Sequence, residues 1–223
     1  MGYGKLQWEF IQKCIADEPK TLSGKYTGKM LELGNQRIKS SLSRYLKENN
    51  TDIAGKRIAK SVFKKMGFDH TSFDMNGKDK SIKIDLSKKI NIKKYKKAFD
   101  IITNSGTSEH IEPLSSQYEC FLNMHLCCKV GGLFIHMVPK QGTFMNHSHY
   151  YYNKGFFRNL AKLNKYKIIF LETLVCSLDP RCFLIGACMR KMKDCEFYHN
   201  RDSIISLIHI EKKCKRTGYT TIR

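Results

Sequence analysis

Residues 99–111 read Phe-Asp-Ile-Ile-Thr-Asn-Ser-Gly-Thr-Ser-Glu-His-Ile, a short apolar run followed by a polar loop. The run is typical of a buried strand, and the Ser-Gly-Thr-Ser loop ends it. Downstream, apolar residues recur at helical spacing over 118–129, and two glycines precede a second apolar run, 133–138. The segment therefore predicts a strand, a helix and a second strand in succession.

The chain before this segment shows the same alternation. A leading helix is predicted over 5–16, a first strand over 29–34 and a crossover helix over 53–66. Residues 70–75 and 81–86 are two strand-like runs separated by an Asn-Gly turn signal. They could form a hairpin, or two parallel strands joined by a tight connection without a helix.

The chain after the segment ends in two strands with no helix between them. A helix is predicted over 154–165, followed by apolar runs at 168–175 and 182–189. The short connection at 177–181 leaves no room for a helix, so the two strands must be antiparallel. The whole pattern predicts an α/β fold with three layers, a mostly parallel sheet and an antiparallel C-terminal hairpin.

The predicted α/β domain covers residues 29–192. A helical N-terminal extension, 1–28, precedes it, and a basic C-terminal extension, 193–223, is expected to pack on or near it. Residues 203–210 could form a final helix or an added strand.

The chain of 223 residues is long enough for a hydrophobic core, and its apolar stretches are shorter than the ~20 residues that span a bilayer. The N-terminus lacks a secretion signal, so an intracellular location, cytoplasmic or nuclear, is expected. Nine cysteines without Cys-x-x-Cys spacing argue against a zinc ribbon or a disulfide framework.

The formal net charge is +20, which would attract phosphate backbones or anionic lipid headgroups. Lys far outnumbers Arg, however, and a Lys excess can reflect coding bias as well as a binding face. The Lys cluster within 78–97 is equally ambiguous. Charge thus leaves a nucleic-acid partner open.

Ligands of parallel α/β sheets bind at the carboxyl ends of the strands. Gly34 follows the first predicted strand, where the absence of a Cβ lets a backbone approach a ligand closely. Asp74 ends the second strand, where a carboxylate can accept both hydroxyls of a ribose. Taken singly, each of these residues is better explained as part of an ordinary turn.

In order along the chain, several features resemble a class I S-adenosylmethionine-dependent methyltransferase. They are Glu32-Leu-Gly34, Asp74, Asp85, the 99–111 segment, the strand entry Lys129-Val-Gly-Gly-Leu-Phe-Ile and the closing antiparallel pair. The resemblance covers about 29–190 and implies a Rossmann-like methyltransferase sheet with S-adenosylmethionine as cofactor.

The resemblance also implies a cofactor-binding set. Glu32 and Gly34, with Asn35 in the same turn, would lie beside the methionine part of the cofactor. Asp74 would hold the ribose hydroxyls, and Asp85 would lie near the adenine amine. Asn104 and Ser105 would line the wall next to the sulfonium.

Two departures from the family pattern concern the cofactor turn. It has fewer glycines than is usual, and the stretch from Gly34 to Asp74 is about twice the ~20 residues of a dinucleotide-type unit, which implies an insertion around 40–50. A catalytically inactive module that binds nucleic acid or a protein partner is therefore the alternative. A nicotinamide-dependent oxidoreductase is disfavoured, because Gly-x-Gly-x-x-Gly does not follow the first strand.

Methyl transfer from a sulfonium is a direct displacement, so the protein aligns the reactants and removes a proton where the acceptor carries one. The candidate catalytic residues at the strand ends are Glu109, His110, His147 and His149. For His136, a packed strand histidine is the favoured interpretation. The aromatic run 150–152 could stack on bases or belong to the core.

The pattern Glu109-His110 with His147 and His149 faintly resembles the metal site of small-RNA 2′-O-methyltransferases. Gly106 stands where the first carboxylate of that family's pair would be, so no metal is expected. Asn-Pro-Pro-Tyr is absent after the fourth predicted strand, which disfavours an exocyclic amine as acceptor. A methyltransferase is expected, with RNA slightly favoured over a small molecule because of the charge.

Overall fold

The computed structural model describes residues 2–49, 57–91, 93–175 and 182–211, and seven of its strands form one sheet. The strands are β1 (Lys29–Leu33), β2 (Asp69–Asp74), β3 (Ile82–Lys83), β4 (Phe99–Ser105), β5 (Cys128–Pro139), β6 (Tyr166–Val175) and β7 (Phe183–Lys191). Their order in the sheet is β3-β2-β1-β4-β5-β7-β6. Strands β1 to β5 are mutually parallel, and β7 runs antiparallel to β5 and β6, which confirms the predicted sheet.

Helices cover both faces of this sheet. They are α1 (Lys5–Ile15), α2 (Ser40–Glu48), α3 (Ala59–Lys65), α4 (Leu114–Cys127), α5 (Lys154–Asn164) and α6 (Arg201–Ile205). Two 3-10 turns, Lys78–Lys80 and Ser108–His110, follow β2 and β4. Two short strand pairs join Gly2–Tyr3 to Arg37–Ile38 and Tyr150–Tyr151 to His209–Ile210.

The core has two halves, one on each face of the sheet. On one face, α4, α5 and α6 bury residues such as Phe121, Phe156 and Ile204. On the other face, α1, α2 and α3 bury residues such as Ile11 and Phe63. Successive strand residues point to opposite faces, so a single strand contributes to both halves of the core.

Strands β2 and β3 are parallel, with Phe73 opposite Ile82 and Asp74 opposite Lys83. The connection without a helix is therefore the correct alternative, and the hairpin is wrong. Strand β3 is shorter than the predicted run 81–86 because the chain turns at Asp85, whose side chain accepts hydrogen bonds from Ser87.

The expected insertion around 40–50 contains helix α2, which buries Leu42 and Leu46. The helix predicted over 53–66 is present as α3, and residues 50–56 lie outside the described part. Leu42, Tyr45 and Leu46 stand at helical spacing in this segment, so the sequence did carry a signal for α2.

The N-terminal helix α1 belongs to the core, since Trp8, Phe10 and Ile11 are buried in it. Downstream of the sheet, Phe197, Ile204 and other residues up to position 208 pack into the opposite half of the core. Residues 212–223 lie outside the described part. Among the described helices, none is long and apolar enough to cross a membrane.

Candidate active site

Gly34 ends β1 in a left-handed turn with φ 78°. A Cβ at this position would lie 2.7 Å from Gln36 Nε2 and 2.7 Å from Thr107 Oγ1, so only glycine fits without displacing them. Thr107 Oγ1 donates a hydrogen bond to the Leu33 carbonyl at 2.8 Å. The turn after β1 and the loop after β4 therefore touch, and what approaches Gly34 closely is the chain's own Gln36 and Thr107.

Glu32 lies beneath this turn and is fully buried. Its Oε2 accepts a hydrogen bond from the Gln36 amide at 3.2 Å and lies 3.7 Å from His70 Nε2. Burial, with the Glu32 carboxylate nearby, raises the pKa of Tyr3 well above its usual value. The carboxylate of Glu32 thus supports the backbone of the turn from below.

Asp74 joins the ends of β1 and β2. Its Oδ2 accepts a hydrogen bond from the Asn35 amide at 2.7 Å, and its Oδ1 accepts one from the Asn76 amide at 2.8 Å. A carboxylate has about four acceptor sites, so both oxygens keep acceptor capacity for a further ligand. The structure thus brings together three members of the predicted cofactor set, Gly34, Asn35 and Asp74.

Asp85 follows β3 and stabilises its own turn. Its Oδ1 accepts hydrogen bonds from Ser87 Oγ at 2.6 Å and from the Ser87 amide at 3.0 Å. Partial burial opposes ionisation of Asp85, but the bonds from Ser87 and the charge of Lys88 outweigh it and lower the pKa.

Asn104 and Ser105 end β4, and both are buried. The amide of Asn104 donates to Ser108 Oγ at 2.8 Å, accepts from the Ser108 backbone at 3.1 Å and lies 3.2 Å from His136 Nδ1. Through these contacts, the Asn104 side chain holds the 3-10 turn Ser108–His110.

Two residues that the sequence did not single out as site residues complete the support of this turn. Gln117 on α4 donates to the carbonyls of Ser108 at 2.7 Å and Ile111 at 2.6 Å. The Tyr152 hydroxyl lies 2.6 Å from Gln117 Oε1 and 2.9 Å from Ser108 Oγ. The sequence did contain a signal for Gln117: it lies on the apolar face of α4, and a buried amide needs hydrogen-bond partners.

Glu109, His110 and His147 meet at the carboxyl edge of β4 and β5. Glu109 Oε1 lies 3.9 Å from His110 Nε2 and 3.8 Å from His147 Nε2, and the two imidazole rings are 5.0 Å apart. Glu109 is fully buried, whereas the His147 side chain is 31% exposed. Burial lowers the pKa of His110, partly opposed by the Glu109 charge.

His149, His136 and the tyrosine run 150–152, which the sequence analysis also considered, lie outside this trio. His149 pairs with a different carboxylate, its Nδ1 lying 2.6 Å from Glu112 Oε1. His136 is a packed strand histidine, and burial lowers its pKa to about 3. Tyr150, Tyr151 and Tyr152 are all buried, so the stacking surface considered for this run is wrong.

No family model matches the sequence, and no curated protein is significantly similar to it. Solved structures do resemble it. The 1,6-didemethyltoxoflavin-N1-methyltransferase of Burkholderia thailandensis, with S-adenosylhomocysteine bound, matches 85% of this chain and 79% of its own at 12% identity and a TM-score of 0.55. The N-methyltransferase NodS of Bradyrhizobium japonicum, in complex with S-adenosylhomocysteine, matches 85% and 89% at 10% identity and a TM-score of 0.56.

A putative S-adenosylmethionine-dependent methyltransferase of Listeria monocytogenes matches 84% of this chain and 99% of its own, at 11% identity and a TM-score of 0.52. Sequence identities this low support a shared fold but say nothing about the substrate. The strand order, the pairing directions and these likenesses together show that the chain has the fold of class I S-adenosylmethionine-dependent methyltransferases.

Proposed function

We propose that the protein is an S-adenosylmethionine-dependent methyltransferase with its cofactor site at the carboxyl ends of β1, β2 and β4. The observation that carries this is the bond between Asp74 and the Asn35 amide, which places a carboxylate with spare acceptor capacity beside the Gly34 turn. Two structural neighbours of the same fold are described with S-adenosylhomocysteine bound.

The residues divide the work between two sides of the site. Asp74 binds the ribose hydroxyls, and Glu32 holds the backbone of the turn beneath the methionine part. On the acceptor side, Glu109, His110 and His147 orient the acceptor or take its proton. When bound, the cofactor supplies a methyl group on a sulfonium, which makes that carbon electrophilic.

Calorimetric titration with S-adenosylmethionine tests the cofactor site. We expect binding by the wild type and a roughly tenfold or greater loss of affinity in Asp74→Ala, since hydrogen bonds to a charged group contribute about 1.5–3 kcal/mol. Asp69→Ala, at the opposite end of the same strand, is the matched control and should bind as the wild type. Equal affinity in Asp74→Ala would refute the assignment.

RNA is the acceptor class that we favour, on the net charge of +20. The neighbour from Burkholderia was crystallised with a small molecule, 1,6-didemethyltoxoflavin, so the fold itself sets no acceptor. Binding of a single-stranded RNA oligonucleotide should weaken steeply as salt rises from about 50 to 200 mM. Failure to bind at the lower salt would remove RNA from consideration.

A catalytically inactive module is the second candidate function. One contact favours it: the side chains of Gln36 and Thr107 occupy the space beside Gly34 that a cofactor would otherwise enter. This alternative predicts salt-sensitive RNA binding by a folded protein that gives no heat with millimolar S-adenosylmethionine. Heat of binding that Asp74→Ala abolishes would exclude it.

A further inference from the structure

Buried polar atoms without a hydrogen-bond partner among the described residues form two groups, one at Glu32, Gln36 and His70 and one at Glu109 and His110. Of the ten buried side-chain nitrogen and oxygen atoms without a hydrogen-bond partner among the described residues, three belong to Glu109 and His110. They include both carboxylate oxygens of Glu109, which is 0% exposed. Leaving such a carboxylate unpaired is costly, so a positively charged or donating ligand beside Glu109 would stabilise it.

The spacing of these side chains suits a cation better than direct hydrogen bonds. The two Nε2 atoms lie 3.8 and 3.9 Å from Glu109 Oε1, beyond hydrogen-bond range. One ligand atom from each of the three residues falls within 4.8 Å of the others. With metal–ligand bonds of about 2.0–2.2 Å, two ligand atoms of one ion lie about 3–4.3 Å apart. Side-chain shifts of less than about 1 Å would therefore bring all three ligand atoms within bonding distance of one ion.

We propose that Glu109, His110 and His147 bind one divalent transition-metal ion. Two imidazoles and one carboxylate are the donor set of Zn²⁺, Fe²⁺, Mn²⁺ or Co²⁺, whereas Mg²⁺ prefers oxygen ligands alone. This revises the sequence-based expectation of no metal. Gly106 supplies no carboxylate, but His147 from the loop after β5 brings the protein ligands to three without it.

The backbone segments that carry Glu109, His110 and His147 are held by residues outside the trio. The Tyr151 hydroxyl accepts hydrogen bonds from the amides of His147 at 3.1 Å and Ser148 at 3.2 Å. The 3-10 turn that carries Glu109 and His110 is held by Asn104, Gln117 and Tyr152, as described above. These contacts hold the backbone that carries the three side chains, whereas His110 Nδ1 has no hydrogen-bond partner among the described residues.

Three protein ligands leave coordination positions open for an acceptor oxygen. This use of the ion rests on the proposed function, and it assigns Glu109, His110 and His147 to orienting the acceptor rather than to taking its proton. A bound hydroxyl would lose its proton to water more readily, and its oxygen would then form the new bond to the methyl carbon. The carbon–sulfonium bond would break, with its electron pair remaining on sulfur. The acceptor class inferred is therefore a hydroxyl compound.

The test is direct metal binding by the full chain, without S-adenosylmethionine. Protein stripped with EDTA is titrated with Co²⁺, followed by visible absorption, and metal content is then measured by mass spectrometry. We expect one ion per chain in the wild type. His147→Ala, at a partly exposed position, should weaken Co²⁺ binding by more than the roughly 10–100-fold that loss of an outer-shell partner costs.

His149→Gln is the matched control, because His149 pairs with Glu112 and not with Glu109, so the substitution should leave Co²⁺ binding unchanged. Glu109→Gln should weaken binding as His147→Ala does; circular dichroism checks that both variants are folded. No bound ion in the wild type, or wild-type affinity in folded His147→Ala, would overturn the proposal.

Titration of S-adenosylmethionine into the EDTA-stripped protein separates the two proposals. Cofactor binding without any Co²⁺ site would refute the metal proposal alone. A Co²⁺ site that depends on His147, in a protein that takes up no S-adenosylmethionine, would refute the proposed function and leave the metal site standing.

Discussion

The absence of a side chain at Gly34 decides the geometry of the cofactor turn. Gly34→Ala should lower the free energy of unfolding by more than the ~1–2 kcal/mol cost of a left-handed residue, because its Cβ would crowd Gln36 and Thr107. Gly24 has a similar φ of 77° with nothing within 4 Å, so Gly24→Ala reports the backbone cost alone. Urea denaturation measures both; equal losses would show that the crowding costs nothing.

His136 makes stability depend on pH. Burial lowers the pKa of His136 to about 3 and that of His125 to about 4, against about 6.5 for an unfolded histidine. The unfolded chain therefore binds more protons below pH 6.5. Stability is fully present above that pH and is lost as the pH falls toward 3, by up to ~1.4 kcal/mol per pH unit for each histidine.

Unfolding free energies of His136→Gln between pH 4 and 7 check this dependence. The variant keeps a polar side chain beside Asn104 but does not titrate, so its stability should fall less steeply with acid than that of the wild type. His199→Gln, at an exposed position, should retain the wild-type slope. Parallel curves for His136→Gln and the wild type would contradict the burial argument.

At the scale of elements, the 3-10 turn Ser108–His110 is held by a buried polar network. Tyr152→Phe keeps the ring packing but leaves Ser108 and Gln117 with one hydrogen-bond partner fewer. We expect a loss of about 1–3 kcal/mol in unfolding free energy. Tyr45→Phe, on the partly exposed side of α2, should change it by less than about 0.5 kcal/mol. Similar values for the two variants would mean that the network contributes no net stability.

The elements also show where sequence patterns stop being informative. The strong apolar runs of β4 and α5 were predicted to within one residue at each end, because their periodicity is local, whereas β5 begins at Cys128, five residues before the predicted 133. The direction of β3 against β2 was left open, since a short run with an Asn-Gly turn fits both pairings. Pairing with Phe73 and Asp74 decides it, and that contact has no local signature.

At the scale of the whole molecule, helix α1 is part of the central core. Ile11 is 0% exposed against the sheet, so Ile11→Ala should cost about 2–5 kcal/mol. Leu22, which follows α1, is fully exposed, and Leu22→Ala should change stability by less than about 0.5 kcal/mol. Thermal and urea unfolding of both variants measure this; a small loss in Ile11→Ala would mean that the helix is a dispensable extension.

The sequence by itself determined the alternation of strands and helices, the antiparallel closing pair and the placement of Asp74 at a strand end. Each of these depends on residues close together in the chain. Only the tertiary structure decided that Glu109 and His110 meet His147 while His149 pairs with Glu112, and that the tyrosines at 150–152 are buried. The physical reason is that these contacts join segments distant in sequence, and packing across the sheet, which no local periodicity reports, sets their geometry.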